Sequence, residues 1–68
     1  MKIKEYNEED GNVSFMVDSG KFQKILDHLR SKKQRANGHF SGGKLSEIFV
    51  AATIERVNEA LEDFNEQS

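Results

Sequence analysis

Apolar and polar positions alternate through Asn12-Val13-Ser14-Phe15-Met16-Val17, with Val13, Phe15 and Val17 on one side. Asn12, Ser14 and Met16 fall on the other, and a period of two predicts a half-buried strand. The period then changes. Phe22, Ile25, Leu26 and Leu29 recur at i, i+3, i+4 and i+7, one stripe of an amphipathic helix over about 19–34. Asp18 or Ser19 stands where an N-cap side chain belongs. Three glycines in Ala36–Gly43 break the pattern. Beyond them Leu45, Ile48, Phe49, Val50, Ala51, Ala52 and Ile54 are apolar on more than one side, narrowing to a seam of Val50, Ile54, Val57, Leu61 and Phe64. With no proline to interrupt it, this stretch predicts a second helix over about 44–65.

Residues 1–11 leave two readings open. Lys2 to Tyr6 pair with the following strand through an Asp10-Gly11 turn, or the segment is an acidic arm. The remainder, 12–66, reads as one domain. At 68 residues and 35% apolar composition the chain is short for a self-sufficient core. Without cysteine, disulfides and thiolate zinc sites are excluded, so association is the stabilising device expected. No run is long enough to span a membrane. No apolar h-region follows Met1-Lys2-Ile3-Lys4, so a cytoplasmic address is the expectation.

The net charge of −2 conceals a division into three blocks. Residues 1–20 sum to −3 and residues 45–68 to −5, whereas 21–44 carry seven cations against Asp27 alone. That basic block is either a solvated helix face or an electrostatic footprint for a polyanion.

Candidate chemistry is sparse. Gly38-His39-Phe40-Ser41-Gly42-Gly43-Lys44-Leu45 matches the opening of a P-loop, but Leu45 replaces the magnesium-binding hydroxyl and a basic helix precedes it. Its glycines still offer backbone N–H groups to an anion. Glu8-Glu9-Asp10-Gly11 fails as a calcium loop, with Tyr6 and Val17 at the places of its first and last ligands. His28 follows Asp27 with no serine or cysteine nucleophile placed beside it, so neither catalysis nor a metal or cofactor is expected.

The order strand, helix, glycine-containing turn, helix resembles the ribbon-helix-helix family of Arc and MetJ. The residues carrying the likeness are Asn12–Asp18, the stripe Phe22, Ile25, Leu26 and Leu29, and Gly43-Lys44-Leu45-Ser46-Glu47-Ile48 followed by Ala51-Ala52. The resemblance implies a mainly α fold with one short strand, paired with its copy in an intertwined homodimer. Val13, Phe15, Val17, Ile48, Phe49, Ala52, Ile54 and Val57 would form the dimer core. A dimeric ribbon would lie in the major groove of double-stranded DNA, with Asn12, Ser14 and Met16 reading bases. Ser41, Gly42, Gly43 and Lys44 would grip phosphate, and Lys21, Lys32, Lys33 and Arg35 would supply the salt-dependent attraction. The implied function is a DNA-binding regulator, a repressor of plasmid or phage type. Two alternatives stand beside it: a ββαα monomer with an N-terminal hairpin, and an antitoxin-like or phage-encoded inhibitor that binds a protein through an acidic, DNA-mimicking surface.

Overall fold

The computed structural model describes residues 5–64. Its elements are β1 (Asn7–Glu9), β2 (Asn12–Asp18), α1 (Phe22–Ser31), β3 (Ala36–His39), β4 (Leu45–Val50) and α2 (Ile54–Leu61). The strands form one antiparallel sheet in the order β1-β2-β4-β3. The chain is therefore two successive ββα units, joined where β2 pairs with β4, and it is not mainly α. Residues 1–4 of the N-terminal arm, and 65–66 at the end of the expected domain, lie outside the described residues.

The expected second helix is the principal correction. Its first third is strand β4, in which Ser46, Ile48 and Val50 point inward while Leu45, Glu47 and Phe49 point outward. The alternation is regular, but Leu45 and Phe49 are apolar on the outer side, so the segment reads as apolar all round. Pairing decides the matter: Phe15 lies opposite Ile48 and Val13 opposite Val50, which aligns the inner residues of both strands. Helix α2 begins only after Thr53, whose hydroxyl accepts from Arg56 N at 3.2 Å.

The second correction concerns the shared ribbon of the intertwined fold. A shared ribbon needs an edge strand, yet β2 is central, paired with β4 over Val13–Asp18 and with β1 over Asn12–Ser14. Val13, Phe15 and Val17 join Phe22, Ile25, Leu26, Leu29, Ala36, Ile48, Val50, Val57, Ala60 and Leu61 in a core within one chain. Of the residues assigned to a dimer core, Ile48 and Val57 are fully buried, Ala52 and Ile54 pack against the core, and Phe49 is exposed on the opposite face.

Local chemistry sets the remaining boundaries. Asp10 (φ 50°) and Gly11 (φ 79°) form a tight turn between β1 and β2, matching the two-residue hairpin that Asp-Gly favours. Helix α1 starts later than the cap signal implied. Asp18 Oδ1 accepts from Gly20 N at 2.8 Å and the Ser19 hydroxyl meets Ser46, leaving Lys21 as an N-cap without a side-chain bond. At its C-terminus Lys33 (φ 65°) takes the left-handed position. Lys33 N donates to Arg30 O and Gln34 N to Leu29 O, the Schellman pattern without its usual glycine. Both helices cover the inner face of the sheet.

Candidate interaction surface

Because both helices lie on one side, no element among the described residues covers the other side of the sheet. The register assigns its positions. Met16 lies beside Glu47, and Glu47 beside His39; Asn7, Ser14, Phe49 and Asn37 form the next row; Glu9 lies beside Asn12, and Asp18 beside Leu45. On the two central strands Leu45 (51% exposed), Met16 (50%) and Phe49 (41%) form an apolar zigzag. Glu9, Asp18 and Glu47 are interspersed with it, and among the described residues no outward strand position is lysine or arginine. Asn7, Glu9, Asp10, Asn12, Ser14 and Phe49 enclose a shallow groove of about 340 Å³ at one end of this face.

Asn12, Ser14 and Met16 thus do share a face, as their alternation implied. The presumed phosphate-binding residues do not join them. Ser41, Gly42, Gly43 and Lys44 form the β3–β4 hairpin loop, not the start of a helix. That loop is pinned inward. Ser46, fully buried, brings its hydroxyl 2.6 Å from Ser19 Oγ and accepts from Ser41 N at 2.9 Å. Ser41 Oγ accepts from Gly43 N at 3.0 Å, and Lys44 O from Ser19 N at 2.9 Å. Two of the loop's N–H groups are therefore spent on serine hydroxyls, away from any anion. Lys21 stands at the N-terminus of α1, whereas Lys32, Lys33 and Arg35 follow its C-terminus, about 15 Å away for a ten-residue helix.

Lys32 is also engaged: its Nζ donates to Asp63 Oδ2 at 2.7 Å. His28 Nε2 lies 2.9 Å from the other oxygen of Asp63 and 3.0 Å from Ala60 O, with its ring edge-on to Phe64. Hydrogen bonds from Lys32 and then His28 hold the Asp63 carboxyl below its ordinary range. Tyr6 donates to Asn58 Oδ1 and meets Phe15 edge-on, and burial raises its phenol pKa. These contacts fasten α2 to α1 and to the segment before β1. Sequence spacing could not reveal them, since each joins residues more than 30 positions apart.

Among the described residues no group of three His, Cys, Asp or Glu side chains could hold a metal. No helix among them is long and apolar enough to cross a membrane. A comparison with known protein families, curated proteins and solved structures finds no match to this chain.

Proposed function

We propose that this protein is a non-catalytic protein-binding module that docks its partner on the bare face of the sheet. One observation carries the reading: Leu45, Met16 and Phe49 are exposed together among carboxylates, with no outward lysine or arginine on the strands. Exposed apolar side chains grouped inside a polar rim favour a protein interface. The surrounding Glu9, Asp18 and Glu47 favour a partner of positive potential there.

Nucleic acid is the less favoured ligand for this face. Duplex readers and single-strand platforms both surround their base contacts with cations that neutralise phosphate. Here the expected base-reading trio sits beside Glu9, Asp18 and Glu47; the lysines lie around α1 and the loops, and Arg35, whose carbonyl accepts from Ala51 N, stands at the end of the β3–β4 ladder, away from that trio's strand. The acidic face fits the inhibitor alternative better than the regulator.

Affinity capture from cells tests this when wild type is compared with Phe49→Asp and Met16→Asp. A stoichiometric protein retained by wild type and lost from both variants, with unchanged circular dichroism, is the expected result. Capture unaffected by either substitution defeats the reading. So does salt-dependent binding of duplex DNA that Lys33→Glu abolishes and Phe49→Asp leaves intact.

A further inference from the structure

We infer that the partner segment seated on this face is a basic amphipathic helix, an inference that rests on the sheet-face reading above. Strand addition is the obvious competitor, and the sheet edges oppose it. On β3 the carbonyl of Ala36 accepts from Arg30 Nε at 3.1 Å, so a side chain from α1 occupies that edge. The other edge strand, β1, has three residues, two of them the glutamates Glu8 and Glu9. Both edges are short, one with a carbonyl already taken by an arginine and the other lined by glutamates, which makes them poor templates for another strand.

The face itself has the dimensions of a helix. Leu45 and Phe49 are four residues apart on β4, about 13 Å at strand spacing, with Met16 between them on β2. A helix presenting apolar side chains at i, i+4 and i+7 spans about 10 Å along its axis, so one stripe lies along most of the zigzag. At the Phe49 end the groove brings Glu9 and Asp10 beside the phenyl ring. A carboxylate pair next to an aromatic ring suits an arginine, whose planar guanidinium stacks on the ring and donates paired hydrogen bonds to the carboxylates.

A second copy of this chain does not meet these requirements. The exposed positions of α1 are Gln23, Lys24, Asp27, Arg30 and Ser31, and those of α2 are Glu55, Arg56 and Glu59. Neither helix has a free apolar stripe. A second sheet face would set carboxylates against carboxylates.

The test uses a displayed library of fifteen-residue helices with apolar residues fixed at i, i+4 and i+7 and all other positions randomised. Selection on the full chain is expected to enrich arginine and lysine, with binders shifting the amide resonances of Met16, Glu47 and Phe49. Phe49→Asp and Glu47→Lys, both surface changes that spare the core, should each cut recovery of the selected helices at least tenfold. Neutral or acidic winners, helix-breaking winners or no winners overturn the inference. A dimer that Phe49→Asp converts to monomer overturns it too, by assigning the face to self-association. If no helix is selected while a cellular partner is still lost with Phe49→Asp, the helix alone fails. If that partner is retained, the sheet-face reading fails with it.

Discussion

The two ββα units reach the same arrangement by different local means. In the first, a two-residue Asp10-Gly11 turn joins the strands, and Val13, Phe15 and Val17 all face the core. In the second, a five-residue loop joins them, and the three inner positions are Ser46, Ile48 and Val50. Ser46 thus takes the place corresponding to Val13, with its hydroxyl holding the loop that the shorter turn does not need. The helices differ as well. Helix α1 lacks a side-chain N-cap and ends on a left-handed lysine, whereas α2 is capped by Thr53 and has Glu55 in its first turn. The topology is set by the shared inner apolar pattern, and the connections are free to vary around it.

The units meet at Phe15 and Ile48, paired and both buried. Truncation there should be the most damaging single change. Ile48→Ala is expected to cost about 2–5 kcal/mol, while Phe49→Ala, one residue on and outward, should stay within about 0.5 kcal/mol. Urea titrations of the two variants measure this directly. Equal losses would mean that the outer face is part of the stabilising core and would remove the contrast between faces.

Next in size is a position where the second unit needs glycine. A Cβ on Gly38 would lie 2.4 Å from Phe22 Cζ and 3.1 Å from Glu47 O. Helix α1 packs its first aromatic ring into that space, so Gly38→Ala must displace the ring or the strand. A loss of about 1–3 kcal/mol is expected from overpacking. Alanine at Gly42, which has open space around it, is the control that should differ little.

How much of this was legible in the sequence differs between the units for the same physical reasons. Strand β2 and helix α1 were readable because most of their outward positions are polar: Asn12, Ser14 and Asp18, with Met16 the one apolar exception, expose the period of two, and Lys24, Asp27 and Arg30 the period of 3.6. Strand β4 was not, because Leu45 and Phe49 add apolar residues on the outer side and mimic a buried helix. The residues that obscured the fold are those proposed to bind a partner. Local agreement between pattern and structure is lost first where function places an apolar side chain outward. The Asp10-Gly11 turn was visible as a signal, but too few apolar residues precede it to define its strand. The long-range fastenings of Tyr6, His28 and Asp63 had no sequence trace.

Ser46 offers a sharper comparison, since valine occupies the corresponding place in the first unit. Ser46→Ala removes the acceptor of Ser41 N and the partner of Ser19 Oγ. Leaving Ser41 N without its acceptor, and Ser19 Oγ with only the 3.4 Å bond to Ser41 O, should cost about 1–2 kcal/mol. Ser46→Val adds volume but restores no bond, so it should recover none of that loss. If it does, volume and not the hydroxyl is what this position supplies. At Lys33 the expected change is a gain: glycine relieves the left-handed strain and should add about 0.5–1 kcal/mol. A shift of the melting temperature upward checks it.

The smallest expected effect concerns the fastening between the units, where Asp63 holds both Lys32 and His28. The folded carboxyl titrates below its ordinary range, so folding favours its ionised form. Its contribution is therefore complete above the ordinary carboxylate pKa and disappears as pH falls through the lowered value. Solvent exposure screens the pair, which is why the effect ranks last. Stability profiles of wild type and Asp63→Asn should converge in acid and separate as pH rises through the carboxylate range. Profiles that instead run parallel from acid to neutral pH would show that the carboxylate charge does no fastening. The union of the two units would then rest on the β2–β4 ladder, apolar packing and the Tyr6–Asn58 bond, with Ala60 O still available to His28.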